Sequence, residues 1–174
     1  MNMTASDLTL RDGRMVHLRD VTPADESEFF QAFERMSDND RYMRFMRVVR
    51  TPDAQRVRAT LASFPEAGIG IVATVPAADG VDIVASAVAI VAAGGTSCEF
   101  AITVASEFAG AGLATAMMTE LIDQARQRGL KEMEGFVLTQ NQSMLGLAKR
   151  LGFRIEREPG DPTIRMCRLT LNPP

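Results

Sequence analysis

Two glycines, Gly110 and Gly112, sit where an apolar run of alternating character gives way to apolar residues spaced four apart. Glycine reaches left-handed backbone geometry without strain and lets amide N–H groups approach a ligand with no Cβ in the way. The start of a helix, with its unpaired N–H groups and the positive end of its dipole, favours negative charge. The stretch Ala109, Gly110, Ala111, Gly112, Leu113, Ala114 and Thr115 is therefore either a tight strand-to-helix connection or a cradle for a phosphate group. Upstream, within the same strand-like run, stands Glu99. Glutamate is a poor strand former, so its place needs a reason. It either marks a strand start that reaches solvent or acts as a base. An amine with a pKa near 10.4 is protonated at neutral pH, and presenting it free costs about 4 to 5 kcal/mol, from about 3.4 pK units at about 1.4 kcal/mol each. A carboxylate beside a cleft can accept that proton, directly or through water.

A second group of candidates lies around these two. Asn141 opens a short helix that ends in Gly152-Phe153, and a helix cap is its simplest reading, with Ser143 in the first turn. Arg41, Arg44, Arg47 and Arg50 recur every three residues around Tyr42 and Phe45. Such a run is either a solvated face or the substrate-binding cap of one side of a cleft, with Arg41 and Tyr42, the only tyrosine, near an incoming amine or docking an acidic protein surface. Met117, Met118 and Met144 read as core packing. Cys98 and Cys167 have no metal-ligand spacing and read as small buried hydrophobes of a reducing compartment. With one histidine, His17, and no tryptophan, the chain is poorly supplied for metal sites or Ser-His-Asp triads, and no metal is expected.

These residues need elements to hold them. Residues 15–20 alternate as a strand, and Thr22 and Pro23 supply the cap and first position of a helix running to about Met36, with Phe29, Phe33 and Met36 on one stripe. A second helix is expected from Asp53, with Val57, Leu61 and Phe64 inward. Strands are expected over 69–75, 81–92 and 96–104, joined by the turns at 76–80 and 94–95 into an antiparallel meander. The middle run is almost wholly apolar, which predicts cover on both faces. Leu113, Met117, Leu121 and Ala125 make the stripe of a helix over 110–128, stopped by Gly129. A strand over 131–138, a helix over 141–151 and strands over 153–158 and 163–171 complete the order.

A chain of 174 residues supports one domain, 1–174, with a substantial core. A net charge of −3 argues against nucleic acid as the main partner, and any anionic ligand would have to be held locally. The start of the chain has no apolar core of signal-peptide length, and the longest apolar run contains Asp82. A cytoplasmic protein with no membrane partner is expected.

The glycine loop and the Asn141-to-Phe153 helix together resemble the acetyl-CoA-binding half of the GNAT superfamily of N-acetyltransferases. That superfamily's loop reads Gln/Arg-x-x-Gly-x-Gly/Ala, and here it falls on 109–114, with Ala109 departing at the first position. More narrowly, CEFAITV, RQRGLKEMEGFVL, NQSMLGLAKRLGF and RYMRFMR resemble the acetyltransferase domain of bacterial protein-lysine acetyltransferases that act on acetyl-CoA synthetase. The resemblance implies an α/β GNAT fold, a mixed and mostly antiparallel sheet of about seven strands with about four helices, splayed between the fourth and fifth strands. It implies an acyl-CoA-dependent N-acetyltransferase that moves an acetyl group from acetyl-CoA to a primary amine, such as a protein lysine, by direct attack in a ternary complex. Glu99 is then the general base. The amides of 110–115 hold the pyrophosphate, the backbone of Ile102, Thr103 and Val104 pairs with pantetheine, and Asn141 touches the same arm. The position of the tyrosine that protonates the CoA thiolate in many members is Ala148, for which Ser143 is a weak substitute. A small-molecule amine acceptor and a catalytically weak acyl-CoA-binding regulator stay open, and a homodimer through the last strands rests on analogy.

Overall fold

The computed structural model describes residue 3 and residues 5–173. One eight-stranded sheet runs in the order β1-β2-β3-β4-β5-β6-β8-β7. Its strands are β1 (Ser6–Thr9), β2 (Met15–Asp20), β3 (Gly68–Ala77), β4 (Gly80–Val91), β5 (Ser97–Val104), β6 (Glu132–Leu138), β7 (Arg154–Glu158) and β8 (Asp161–Thr170). Among the described residues five α-helices pack on it: α1 (Glu26–Arg35), α2 (Asp38–Phe45), α3 (Ala54–Ser63), α4 (Leu113–Gln127) and α5 (Gln142–Arg150). Every neighbouring pair is antiparallel except β5 and β6. No helix among the described residues is long and apolar enough to cross a membrane.

Two apolar layers hold the sheet. On one face α4 presents Leu113, Met117, Leu121 and Ala125, all buried as the four-residue spacing requires, to Ile69, Ile71, Ala85, Ala87 and Ala89. On the other, α1 and α3 close a smaller cluster of Val21, Leu61, Val72 and Ile83, with Phe29 and Phe64 against it. The 81–92 run is covered on both faces over only part of its length, since Ile90 at its far end is exposed.

Two elements exceed the sequence expectation of about seven strands and four helices. β1 has one apolar residue in Ser-Asp-Leu-Thr, too little for a pattern, and it exists because β2 gives it a ladder from Ser6↔Leu18 to Thr9↔Met15. α2 is polar, with Ser37 capping it by accepting a hydrogen bond from the Asp40 amide at 3.1 Å. It ends at Met46, which takes a left-handed conformation with φ of +57°.

The parallel contact between β5 and β6 is three residues long, Ser97↔Glu132, Cys98↔Met133 and Glu99↔Glu134. Beyond it each strand keeps its outer partner only. β5 stays on β4 as far as Val104↔Ala85, and β6 stays on β8 as far as Leu138↔Ile164. At the point of parting, the Phe100 ring lies where a side chain on Gly135 would have to go. Phe153, from the end of the Asn141 motif, meets that ring edge-on with centroids 5.2 Å apart. The sheet thus opens into the splay that the resemblance implied, at the junction of Glu99 and Phe100.

The packing at that junction yields a stability prediction. Gly135→Ala drives a methyl group into the Phe100 ring and is expected to destabilise the protein by about 1–3 kcal/mol in urea unfolding, the usual cost of overpacking. In a Phe100→Leu background the same substitution should cost less than half as much, and equal costs in the two backgrounds would show that the ring is not what fills the space.

Candidate active-site cleft

The splay leaves one edge of β5 without a strand partner. The Ala105 amide donates to Val84 on β4 at 2.8 Å, and the Thr96 carbonyl accepts from Lys131 next to β6 at 2.7 Å. Backbone groups alternate sides along a strand. Odd-numbered residues therefore face β4, and beyond the last β6 pair Ile102 and Val104 direct their N–H and C=O groups into the gap. Of the three expected pantetheine partners, Ile102 and Val104 offer backbone to the gap. Thr103 does not, because its backbone faces Ser86 across the β4 ladder.

The far end of this edge leads to the glycine loop. A single helical turn, Ser106–Phe108, precedes Ala109, and then Gly110 and Gly112 take φ values of +76° and +91°. Both sit in left-handed geometry, which accounts for glycine at these two places. Gly112 caps α4 with no side chain. The first intrahelical bond runs from the Ala116 amide to the Gly112 carbonyl, at 3.1 Å. The amides of Leu113, Ala114 and Thr115 are left for something outside the helix. Ala111 and Leu113 turn their side chains into the core, which anchors the loop with its amides outward.

The turn between β1 and β2 braces this loop, a role the sequence did not suggest for it. The Arg11 amide donates to the Ala111 carbonyl at 3.1 Å and its guanidinium to the Gly110 carbonyl at 3.2 Å. Arg14 donates to the Glu107 carbonyl at 2.6 Å, with its guanidinium 4.0 Å from the centre of the Phe108 ring. Arg11 thus stands beside an amide-lined loop in a chain of net negative charge, while the charge of Arg14 is paired with Asp12 at 2.6 Å. The Asp-Gly turn at 12–13 was the only signal that could have pointed to them.

Glu99 is exposed and borders a cleft of about 80 Å³ at the apex of the splay. Facing it are Arg44 and Met46 from the end of α2, Phe136 from β6, and Asn141 and Met144 from the start of α5. Asn141 also caps α5, its side-chain oxygen accepting from the Met144 amide at 3.2 Å. Ser143 is exposed and lies outside the cleft lining. Ala148 is fully buried in the core and carries no proton donor. On the Glu99 side of the sheet a larger cavity of about 850 Å³ opens between α1, the 46–53 connection and β4–β5. Phe29, Phe33, Phe45 and Phe64 wall it, with Thr103 on its floor, and Arg44 and Met46 border both spaces.

The arginine run divides by helix face. Arg41 donates to the Phe33 carbonyl at 2.9 and 3.2 Å and lies 4.3 Å from the Phe33 ring centre, closing the end of α1. That makes it a strut of the α1–α2 corner, and it borders neither space. Tyr42 is 38% exposed and borders neither space. Arg44, one position in the run further on, points into the cleft. Burial lowers the pKa of its guanidinium, opposed by the Glu99 carboxylate and reinforced by Arg56.

The family model for the acetyltransferase (GNAT) domain matches residues 16–154. The protein Acetyltransferase PA5475 of Pseudomonas aeruginosa is 30% identical over 165 residues, which cover 94% of this chain and 88% of the relative. The crystal structure of the GNAT domain of S. lividans PAT superposes with a TM-score of 0.85 at 24% identity, covering 96% of this chain and 97% of that one. A GNAT superfamily phosphinothricin acetyltransferase from Sinorhizobium meliloti, in complex with acetyl-CoA, superposes with a TM-score of 0.71 at 17% identity over 98% and 90% of the two chains.

The two thiols bear on how an acyl group could travel. Cys98 adjoins Glu99 in sequence, but its side chain faces the core and hydrogen-bonds weakly to the Glu132 carbonyl at 3.7 Å. Burial pushes it up to about 11, with Arg128 opposing, and burial does the same for Cys167. A buried thiol held so high is a poor nucleophile at neutral pH. Neither cysteine should react with an aromatic disulfide reagent at pH 7.5 in the folded protein, while both should react after unfolding. Labelling of Cys98 within minutes in the native state would show that it reaches the cleft.

Proposed function

This chain belongs to the GNAT acetyltransferase family, and from that premise we propose that it moves the acetyl group of acetyl-CoA to a primary amine, a protein lysine first among them, by direct attack with Glu99 as general base. The observation that carries the reading is the unpaired β5 edge, which has a carboxylate at one end and a ring of free amides at the other. In this reading the amides of 113–115, with Gly110 and Gly112 keeping side chains out of the way, hold the pyrophosphate. Ile102 and Val104 bond to the pantetheine amides as a missing strand would, and Asn141 lies beside them. The thioester then reaches the cleft that Glu99 borders.

The chemistry needs little more than position. Glu99 takes one proton from the ammonium, and the freed nitrogen pair forms the C–N bond while the carbonyl pair moves to oxygen. When that pair returns, the C–S bond breaks and its electrons leave on sulfur. Neither buried thiol is required to carry the acyl group.

Lysine as acceptor rests on the resemblance of the motif segments to protein-lysine acetyltransferase domains. A small-molecule amine is the second reading, favoured by the 850 Å³ cavity, which lies within the size range of small-ligand sites.

The test is acceptor-dependent release of free CoA thiol, run with lysine-bearing proteins and with small amines. Glu99→Gln should lower kcat by about a hundredfold with the Kd for CoA unchanged. Its residual rate should rise about tenfold per pH unit between pH 7 and 9, as the fraction of free amine does. Unchanged kcat in the variant would remove Glu99 from the mechanism.

A further inference from the structure

We propose that Arg44 is a second catalytic residue of the cleft, placed to stabilise the negative charge that forms on the thioester oxygen and then passes to the departing sulfur. The proposal rests on the transferase reading above. It starts from an imbalance in the cleft. Among the described residues that border it, Glu99 is the one anion and Arg44 the one cation. They form no ion pair, so the space between them is not closed by their own contact. The guanidinium makes no hydrogen bond or ion pair with any described residue, and its carbon lies 4.9 Å from the centre of the Phe45 ring.

An arginine in such a place is costly to the fold. A guanidinium stays protonated at any physiological pH, and a partly dehydrated, unpaired cation is among the least favourable groups a protein can hold. The nearby arginines show the ordinary solutions. Arg41 closes a helix end, and Arg35 reaches Asp82 at 3.5 Å and the Ile83 carbonyl at 3.2 Å. Arg44 has neither. It also borders the larger cavity, so it stands where that space and the cleft meet.

Each stage of the transfer uses that charge in the same sense. Next to a fixed cation an incoming ammonium is disfavoured against the neutral amine, which assists loss of its first proton to Glu99. As the C–N bond forms, the carbonyl π pair becomes an oxyanion beside the guanidinium. When the pair returns and the C–S bond breaks, the sulfur leaves as thiolate, which takes the second proton from the nitrogen. Glu99 returns its proton to solvent, and Arg44 neither gives nor takes one. The products are amide and CoA thiol. This gives the cleft a means of easing thiolate departure although Ala148 is buried and offers no proton.

The experiment compares Arg44→Met, Arg44→Lys and Arg44→Ala with the wild type in the CoA-release assay, with melting temperature and CoA affinity measured in parallel. Arg44→Met should lose about a hundredfold in kcat, the scale of an oxyanion donor, with the KM for acetyl-CoA changed less than threefold. Its melting temperature should equal or exceed that of the wild type, since an unpaired cation has been replaced by an apolar chain of similar length. Arg44→Lys should retain more activity than Arg44→Met, and millimolar guanidinium chloride should restore part of the activity of Arg44→Ala. A lowered melting temperature with kcat unchanged would make Arg44 structural and overturn the proposal. Turnover that falls for Glu99→Gln but not for Arg44→Met would overturn it while leaving the transferase reading intact. A wild type that binds CoA and transfers to no acceptor would overturn both.

Discussion

The structure depends on where one ladder stops. β5 and β6 share three residue pairs and then separate, at the step from Glu99 and Glu134 to Phe100 and Gly135. Had the ladder continued, the β5 edge would be occupied by β6 and the sheet would hold no cleft. It stops where Phe100 takes the space above Gly135, with Phe153 buttressing the ring from the end of the α5 motif. Backbone polar groups that lack partners are costly unless water or a ligand meets them. The fold tolerates a row of them because each half of the sheet is secured elsewhere, β5 by β4 and β6 by β8.

Charge is distributed to suit that opening. The chain as a whole is acidic, which would repel an anionic cofactor at long range. The local arrangement is the reverse. Free amides open α4, Arg11 holds the loop from the β1–β2 turn, and Arg44 borders the cleft itself. None of these needs a large positive patch. They act at hydrogen-bond distances, where a few oriented donors outweigh a distant net charge.

Local patterns were legible in the sequence and relations between distant segments were not. The stripe from Leu113 to Ala125, the glycines that open α4 and the Asn141 cap depend on neighbours within a few residues, and the structure has each of them. β1 and α2 were missed because neither carries its own apolar pattern. The first is held by its ladder to β2, and the second is a polar helix docked by Arg41 and Phe45 against α1. The same limit explains the arginine run. A spacing of three places Arg41 and Arg44 on nearby but different parts of a helix surface, and only the docking angle decides that one meets the Phe33 carbonyl and the other the cleft. Thr103 is a matter of strand parity. Its side chain borders the larger cavity, while its backbone belongs to β4 because Ala105 does.

Backbone amide hydrogen exchange, read by NMR with and without CoA, tests most directly whether the open β5 edge is the cofactor's seat. If it is, the amides of Ile102, Val104 and 113–115 exchange fast in the free protein and slow by at least tenfold when CoA is added, while Ala101 and Thr103, already bonded to β4, change little. Equal protection of odd and even residues of β5, or no change along this edge while CoA binds, would place the cofactor elsewhere and remove the basis of the mechanism.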